Sequence, residues 1–360
     1  MRKTLTAAGL AVVMLSAGAV PAVAASAPRW RTSYVSKDTG YDNFVLDSVA
    51  AVGKNDAWAV GSRQQGPSTS GAVLHWNGSK WKEVKIPGST GSFQVVGGSS
   101  SKNVWVLGFT TNGATAAWHW NGKAWTSVST GYRASGVAVL SANDAWAVGG
   151  DESGKGTGLH WDGKKWRTVP MPLTAYRVSG VSSNDVWAVG EGTNNQPYAA
   201  HWNGKKWTAA KLPKVSVPKG DSGFANFVDV TAVSKNNVWA AGRFYYIAPG
   251  KAGHNRTLLM HWNGKKWSPV VGTHETYALN ITSDGAGGIW YTTFHQSYVH
   301  RTKSGQVTTY AAPKPYGRDE IDLRDLDFVP GGGGKVLAVG EVAPTSGDQS
   351  WDAIAQQYGH

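Results

Sequence analysis

The side chains best suited to chemistry gather in the C-terminal third of the 360-residue chain. Arg243, Tyr245, Tyr246, His254 and Arg256 follow one another closely, and Trp351 stands near the end. Tyr and Trp present flat apolar faces with a polar edge, and Arg a planar fork of donors, so this set suits a glycan or an acidic group. His254, His295, Asp319 and Glu320 are the groups that could run acid–base chemistry in an extracellular lyase or hydrolase. Asp319, Glu320 and Asp322 could instead ligate a hard cation. Arg318 and Arg324 alternate with those carboxylates, however, and favour a salt-bridged surface loop. His295 and His300 have no third partner at metal-ligand spacing, so neither metal nor cofactor is expected.

The scaffold that must position these groups is a repeat. Residues 176–207 hold Val186-Trp187-Ala188-Val189-Gly190 behind the turn Ser183-Asn184-Asp185, then His201-Trp202-Asn203-Gly204 and Trp207. Asn-Gly between two aromatic-bearing runs is a strong hairpin signal, and predicts a type I′ turn with positive φ at both central residues. The unit reads as four antiparallel strands. Its central Trp recurs as Trp58, Trp105, Trp146, Trp187, Trp239 and Trp290, at spacings of 47, 41, 41, 52 and 51 residues. Leu337-Ala338-Val339-Gly340 is a seventh copy without the Trp. Four strands per 41–52 residues is the size of a propeller blade, so the chain is expected to be all-β, a seven-bladed β-propeller. Trp30-Arg31-Thr32 repeats Trp166-Arg167-Thr168, which places residues 29–35 as the fourth strand of the last blade, closing the ring.

In such a meander the 1–2 and 3–4 turns share one face, and the 2–3 loops and interblade connections share the other. Length variation falls on the second face. Residues 211–224 and 243–257 read as insertions around blade 5, and 313–325 as one before blade 7. Variable loops on a rigid scaffold are where binding residues usually sit, which points to the loop face of blades 5 to 7. The repeated His and the paired Trp residues read as structural. Trp118 and Trp351 lie outside the repeat and are the better ligand candidates. One or two lysines follow the Gly of each 3–4 turn, from Lys80 to Lys265 and Lys266. They could grip an anionic polymer, but the favoured reading is that they keep sheet edges apart.

Residues 1–24 have the form of a secretory leader: Arg2 and Lys3, an apolar run, then Ala22-Val23-Ala24 with cleavage expected after Ala24. Residues 25–360 are then one extracellular propeller domain, expected to be monomeric and without membrane insertion. The chain has no Cys, which excludes disulfides and thiolate chemistry. A net charge of +12 favours anionic partners over cationic ones.

The WAVG and HWNG repeats over residues 29–360 resemble those of secreted bacterial β-propellers grouped with kelch and galactose-oxidase-like propellers. The doublet glycine of kelch proper is not kept in each blade, and the Trp-Asp dipeptide of WD40 repeats is absent as a repeat. The resemblance implies the fold and no particular activity. The copper radical chemistry of galactose oxidase needs a Cys-linked Tyr and is excluded. Blade 6, with Asp284 to Thr292 and Gly305 to Tyr310, is similar to one repeat of virginiamycin B lyase-type propellers, which keeps an enzyme in view. The reading that follows is a non-catalytic propeller that binds carbohydrate or another cell-surface polymer. Glycan and anionic cell-wall polymers are the partners expected first, with protein as an alternative and nucleic acid disfavoured. A lyase or hydrolase, or a protein–protein scaffold, are the competing functions.

Overall fold

Blade 4 shows how the repeat folds. Its strands are Arg177–Ser182, Asp185–Glu191, Pro197–Trp202 and Trp207–Ala209, hydrogen-bonded in that order. Val186, Ala188 and Val189 are fully buried, because a second strand is covered by a blade on each side. The structure, a computed structural model, describes residues 27–36, 42–87, 91–110, 112–150, 156–316, 319–344 and 350–359. The residues read as a leader, and Arg318, lie outside that set. The described residues form seven four-stranded antiparallel sheets and contain no helix.

Neighbouring blades meet through tryptophans. The second-strand Trp of one blade stands edge-on to the fourth-strand Trp of the next: Trp105 to Trp166 at 5.1 Å, Trp146 to Trp207 at 5.2 Å, Trp187 to Trp267 at 5.2 Å. This T-shaped geometry sets the positive ring edge against the negative face. Trp290 meets Trp30 in the same way, at 5.5 Å. The strand Arg29–Val35 pairs with Asp352–Gly359, so the N-terminal segment completes blade 7 and closes the ring as expected.

The repeated His is structural. In blade 4 its Nε2 bonds to Asp185 at 2.8 Å and its ring stacks on Trp187 at 4.4 Å. His75, His119, His160 and His261 repeat the arrangement on Asp56, Asn103, Asp144 and Asn237. So does His300, on Asp284 at 2.9 Å, in the blade that lacks the HWNG motif.

Four expectations are corrected. The 3–4 turn is not type I′. Trp202 pairs with Trp207, leaving four residues between them, and only Gly204 has positive φ, at 88°. The Asn203 carboxamide oxygen accepts from the Lys205 and Lys206 amides and holds the longer turn. Trp118 is not a free ligand group. It pairs with Val106, the ladder position that Leu74 and Leu159 occupy in their blades, and is buried against Phe93 at 5.1 Å. Residues 243–257 are largely strand: Asn237–Ile247 and His254–Trp262 lengthen the ladder with Ser222–Ser234. Asp319–Phe328 is likewise the first strand of blade 7, not a loop.

Candidate functional site

The longer strands of blade 5 carry residues 222–225, 244–247 and 254–256 beyond the ladders of blades 2 to 4, on the loop face, with Arg243 at the last shared position. Side chains alternate along a strand, so consecutive residues face opposite ways. This divides the residues marked from sequence. Arg243 and Tyr245 face one way, with Phe224 opposite Tyr245 in the ladder. Tyr246, His254 and Arg256 face the other way, where Tyr246 packs on the core between blades 4 and 5. Tyr245 and Tyr246 therefore do not form one patch.

On the first side a continuous row runs toward blade 6. The Arg243 guanidinium lies 5.2 Å from the Phe224 ring, 5.0 Å from Tyr245 and 4.9 Å from Tyr277. Its Nε donates to Asn255 Oδ1 at 2.5 Å, which fixes the fork among the three rings. Tyr277 stacks on Phe294 at 5.0 Å and 16°. Phe294 is 56% exposed, unusual for so large an apolar group, and abuts His295. Beyond it a cavity of about 490 Å³ lies between blades 6 and 7, bordered by His295, Gln296, Glu320, Asp322 and Trp351. Trp351 is anchored there through its own backbone, its amide donating to Asn43 Oδ1 and its carbonyl accepting from the Phe44 amide.

Phe224, Tyr277 and Phe294 were not marked as site residues from the sequence. Phe224 needs the extended register to be placed beside Tyr245. Phe294 had a local signal: it opens the Phe294-His295-Gln296 turn, where Gln296 takes positive φ at 56°.

On the second side Glu275 organises the polar groups. It bonds to Arg256, to His254 Nδ1 at 2.7 Å and to the Asn255 amide at 2.9 Å. These donors, Arg256 first, pull its pKa down to about 2. Glu275 is thus held as a carboxylate that structures the hairpin. His295 donates from Nε2 to the Glu275 carbonyl oxygen at 2.8 Å. The proposed acid–base set is dispersed. His254 is tied to Glu275, His295 and Glu320 border the cavity, and Asp319 is placed only by its backbone. Asp322 pairs with Arg324 at 3.0 Å, and Arg324 with Glu341 at 2.5 Å, so the salt-bridged reading is met at Asp322 and Arg324, on a strand.

A second cavity, about 330 Å³, lies where the first strands surround the axis. Asp229, Asp325 and Asp327 reach across blade boundaries there, accepting from the Ile281, Val49 and Ala51 amides at 2.8–2.9 Å. Burial pushes Asp229 and Asp327 up to about 7. Their oxygens are occupied by backbone donors, which makes them ties between blades.

No family model matches the sequence, and no curated protein matches it. Solved structures do. Ycf48 bound to a D1 peptide aligns with a TM-score of 0.57 at 10% identity, over 94% of this chain and 99% of that one. Ycf48 from Cyanidioschyzon merolae gives 0.55 at 13%, over 91% and 98%. The WD40 β-propeller domain of Doa1 gives 0.59 at 13%, over 91% and 97%. What they share with this chain is the propeller fold. At such identities the likeness extends to architecture alone.

Proposed function

We propose that the protein is a non-catalytic binding propeller that takes a carbohydrate chain on the loop face of blades 5 to 7. The row Phe224–Tyr245–Arg243–Tyr277–Phe294, ending at the cavity beside Trp351, carries this reading. Its rings are held by one another and by a fixed guanidinium, so little conformational freedom is lost when a ligand lies along them. Sugar rings supply apolar faces for such a row and hydroxyls for Arg243, Gln296 and Glu320. An enzyme using His254, His295, Asp319 and Glu320 is disfavoured, since His254 is bonded to the Glu275 carboxylate and does not border the cavity that His295 and Glu320 line. Export through the leader of residues 1–24 belongs to the same proposal, with Ala25 as the first residue of protein recovered from the medium.

A peptide is the second reading, favoured by the likeness to a propeller bound to a peptide. Calorimetry with an oligosaccharide panel and a panel of extended peptides separates the two. Carbohydrate binding that Tyr245→Ala and Tyr277→Ala each weaken at least tenfold supports the first. Peptide binding with the same sensitivity transfers the site to the second. Binding insensitive to both substitutions removes the site.

A further inference from the structure

The face opposite the aromatic row carries a one-sided charge. Its two kinds of turn lie side by side. A Cβ added to Gly204 would fall 2.9 Å from Asn184, and one added to Gly78 2.7 Å from Asn55, so each 3–4 turn rests on the 1–2 turn of its own blade. On the 3–4 turns of blades 3 to 5, Lys164 and Lys165, Lys205 and Lys206, and Lys265 and Lys266 stand exposed. Lys80 and Lys123 continue the series in blades 1 and 2, and Lys54, Lys102 and Lys235 stand exposed on neighbouring 1–2 turns.

The carboxylates of the same face are withdrawn. The side chains of Asp56, Asp144, Asp185 and Asp284 are 23%, 13%, 11% and 7% exposed, and each is bonded by a His. Asp162 is bonded by Arg167. Among the described residues no lysine takes part in an ion pair. These cations sit on the turns, while the outer strands carry edge protection of their own, with Arg29, Arg31, Lys82 and Arg167 along them and Pro170 and Pro269 in two more positions. Edge protection therefore leaves the pattern unexplained. Each base is also fixed, since Asn203 Oδ1 holds the amides of Lys205 and Lys206, and Asn263 those of Lys265 and Lys266.

We infer that this arc of lysines binds a linear polyanion with closely spaced phosphates. The cations are spread along a rim, which a flexible chain can follow. A lipid surface would draw on apolar groups projecting with the charge, and only Val181 and Val307 among the exposed large apolar residues flank these turns. This surface is distinct from the aromatic row and does not depend on it.

The test is titration of the protein with long-chain inorganic polyphosphate across a salt series, beside the variant K164Q/K165Q/K205Q/K206Q and its all-Arg counterpart. The Gln variant should bind at least tenfold more weakly at low salt. Its slope of log affinity against log salt should flatten by about 3, at about 0.7 per lost phosphate contact on a single chain. The Arg variant should keep both, and Tyr245→Ala should change neither. No binding of polyphosphate at low salt, or binding equal in the wild type and the Gln variant, overturns the inference. So does capture by phosphatidylglycerol vesicles without polyphosphate binding, which would make the arc a membrane contact.

Discussion

Blade 3 completes its four strands within 38 residues, Arg133 to Pro170, and blade 5 takes 50, Ser222 to Val271. At one end the two blades are alike. His160 bonds Asp144 at 2.9 Å and His261 bonds Asn237 at 2.8 Å, each ring stacked on its central Trp. All the added length is at the other end, where blade 5 gains the strand segments that hold Phe224 and Tyr245, beyond the ladder pair of Asn226 and Arg243. A strand anchored at its turn end by a repeated lock can be extended at the loop end without disturbing the core. The ring thus separates a face that determines stability from one that can specialise.

The largest expected effect tests that separation directly. Trp105 is fully buried and contacts His119, Trp161 and Trp166, so Trp105→Ala should lower the unfolding free energy by about 3–5 kcal/mol. Tyr245→Ala, half-exposed on the projection, should cost less than about 1.5 kcal/mol. Similar losses in urea denaturation would abolish the contrast. Glycine at the two ends gives a finer comparison. Gly204 and Gly250 both have positive φ, but only Gly204 lies against a neighbour. Gly204→Ala should cost about 2 kcal/mol and Gly250→Ala about 1, read from thermal melts.

The axial ties respond to pH. Asp229 and Asp327 titrate at about 7 in the folded ring, raised by burial from an ordinary value of 3.8. The folded state then binds more protons than the unfolded chain between those values. Their favourable contribution is complete below about pH 4 and lost as pH passes about 7. Asp327→Asn should flatten this dependence in melts taken from pH 4 to pH 8, at a cost of about 1–3 kcal/mol from the disturbed backbone acceptors. A slope as steep as the wild type's would show that other groups set it. The smallest effect sharpens the division of the tyrosines. Tyr246→Ala should leave ligand affinity within about twofold while lowering the melting temperature, because Tyr246 packs on the core. A tenfold loss of affinity would return Tyr246 to the site.

Much of the architecture was legible because it repeats. Each Trp, His and Asn-Gly marks one ladder position, and Trp30 was recognisable as the counterpart of Trp166. The repeat also misled. Trp118 looked exceptional only because the same position holds Leu74, Leu159, Ala200 and Met260 in other blades, and burial depends on position rather than residue type. Asn-Gly suggested the commonest short turn, but the Asn side chain here holds a four-residue one. The site was less legible. Its candidate region was chosen from irregular length and Arg–Tyr content, yet irregular length was taken for loop when it was strand, and that decides which side chains share a face.

The sequence by itself determined the number of blades, the strand order, the closure by residues 29–35 and the structural role of the repeated His, since each follows from local pattern and internal repetition. Only the tertiary structure decided that Tyr245 and Tyr246 part company, that Tyr277 and Phe294 of blade 6 extend the row begun by Phe224 in blade 5, and that Glu275 gathers His254 and Arg256. The physical reason is range: repeat patterns fix what happens within a blade, whereas contacts between blades depend on strand length and register that no short motif encodes.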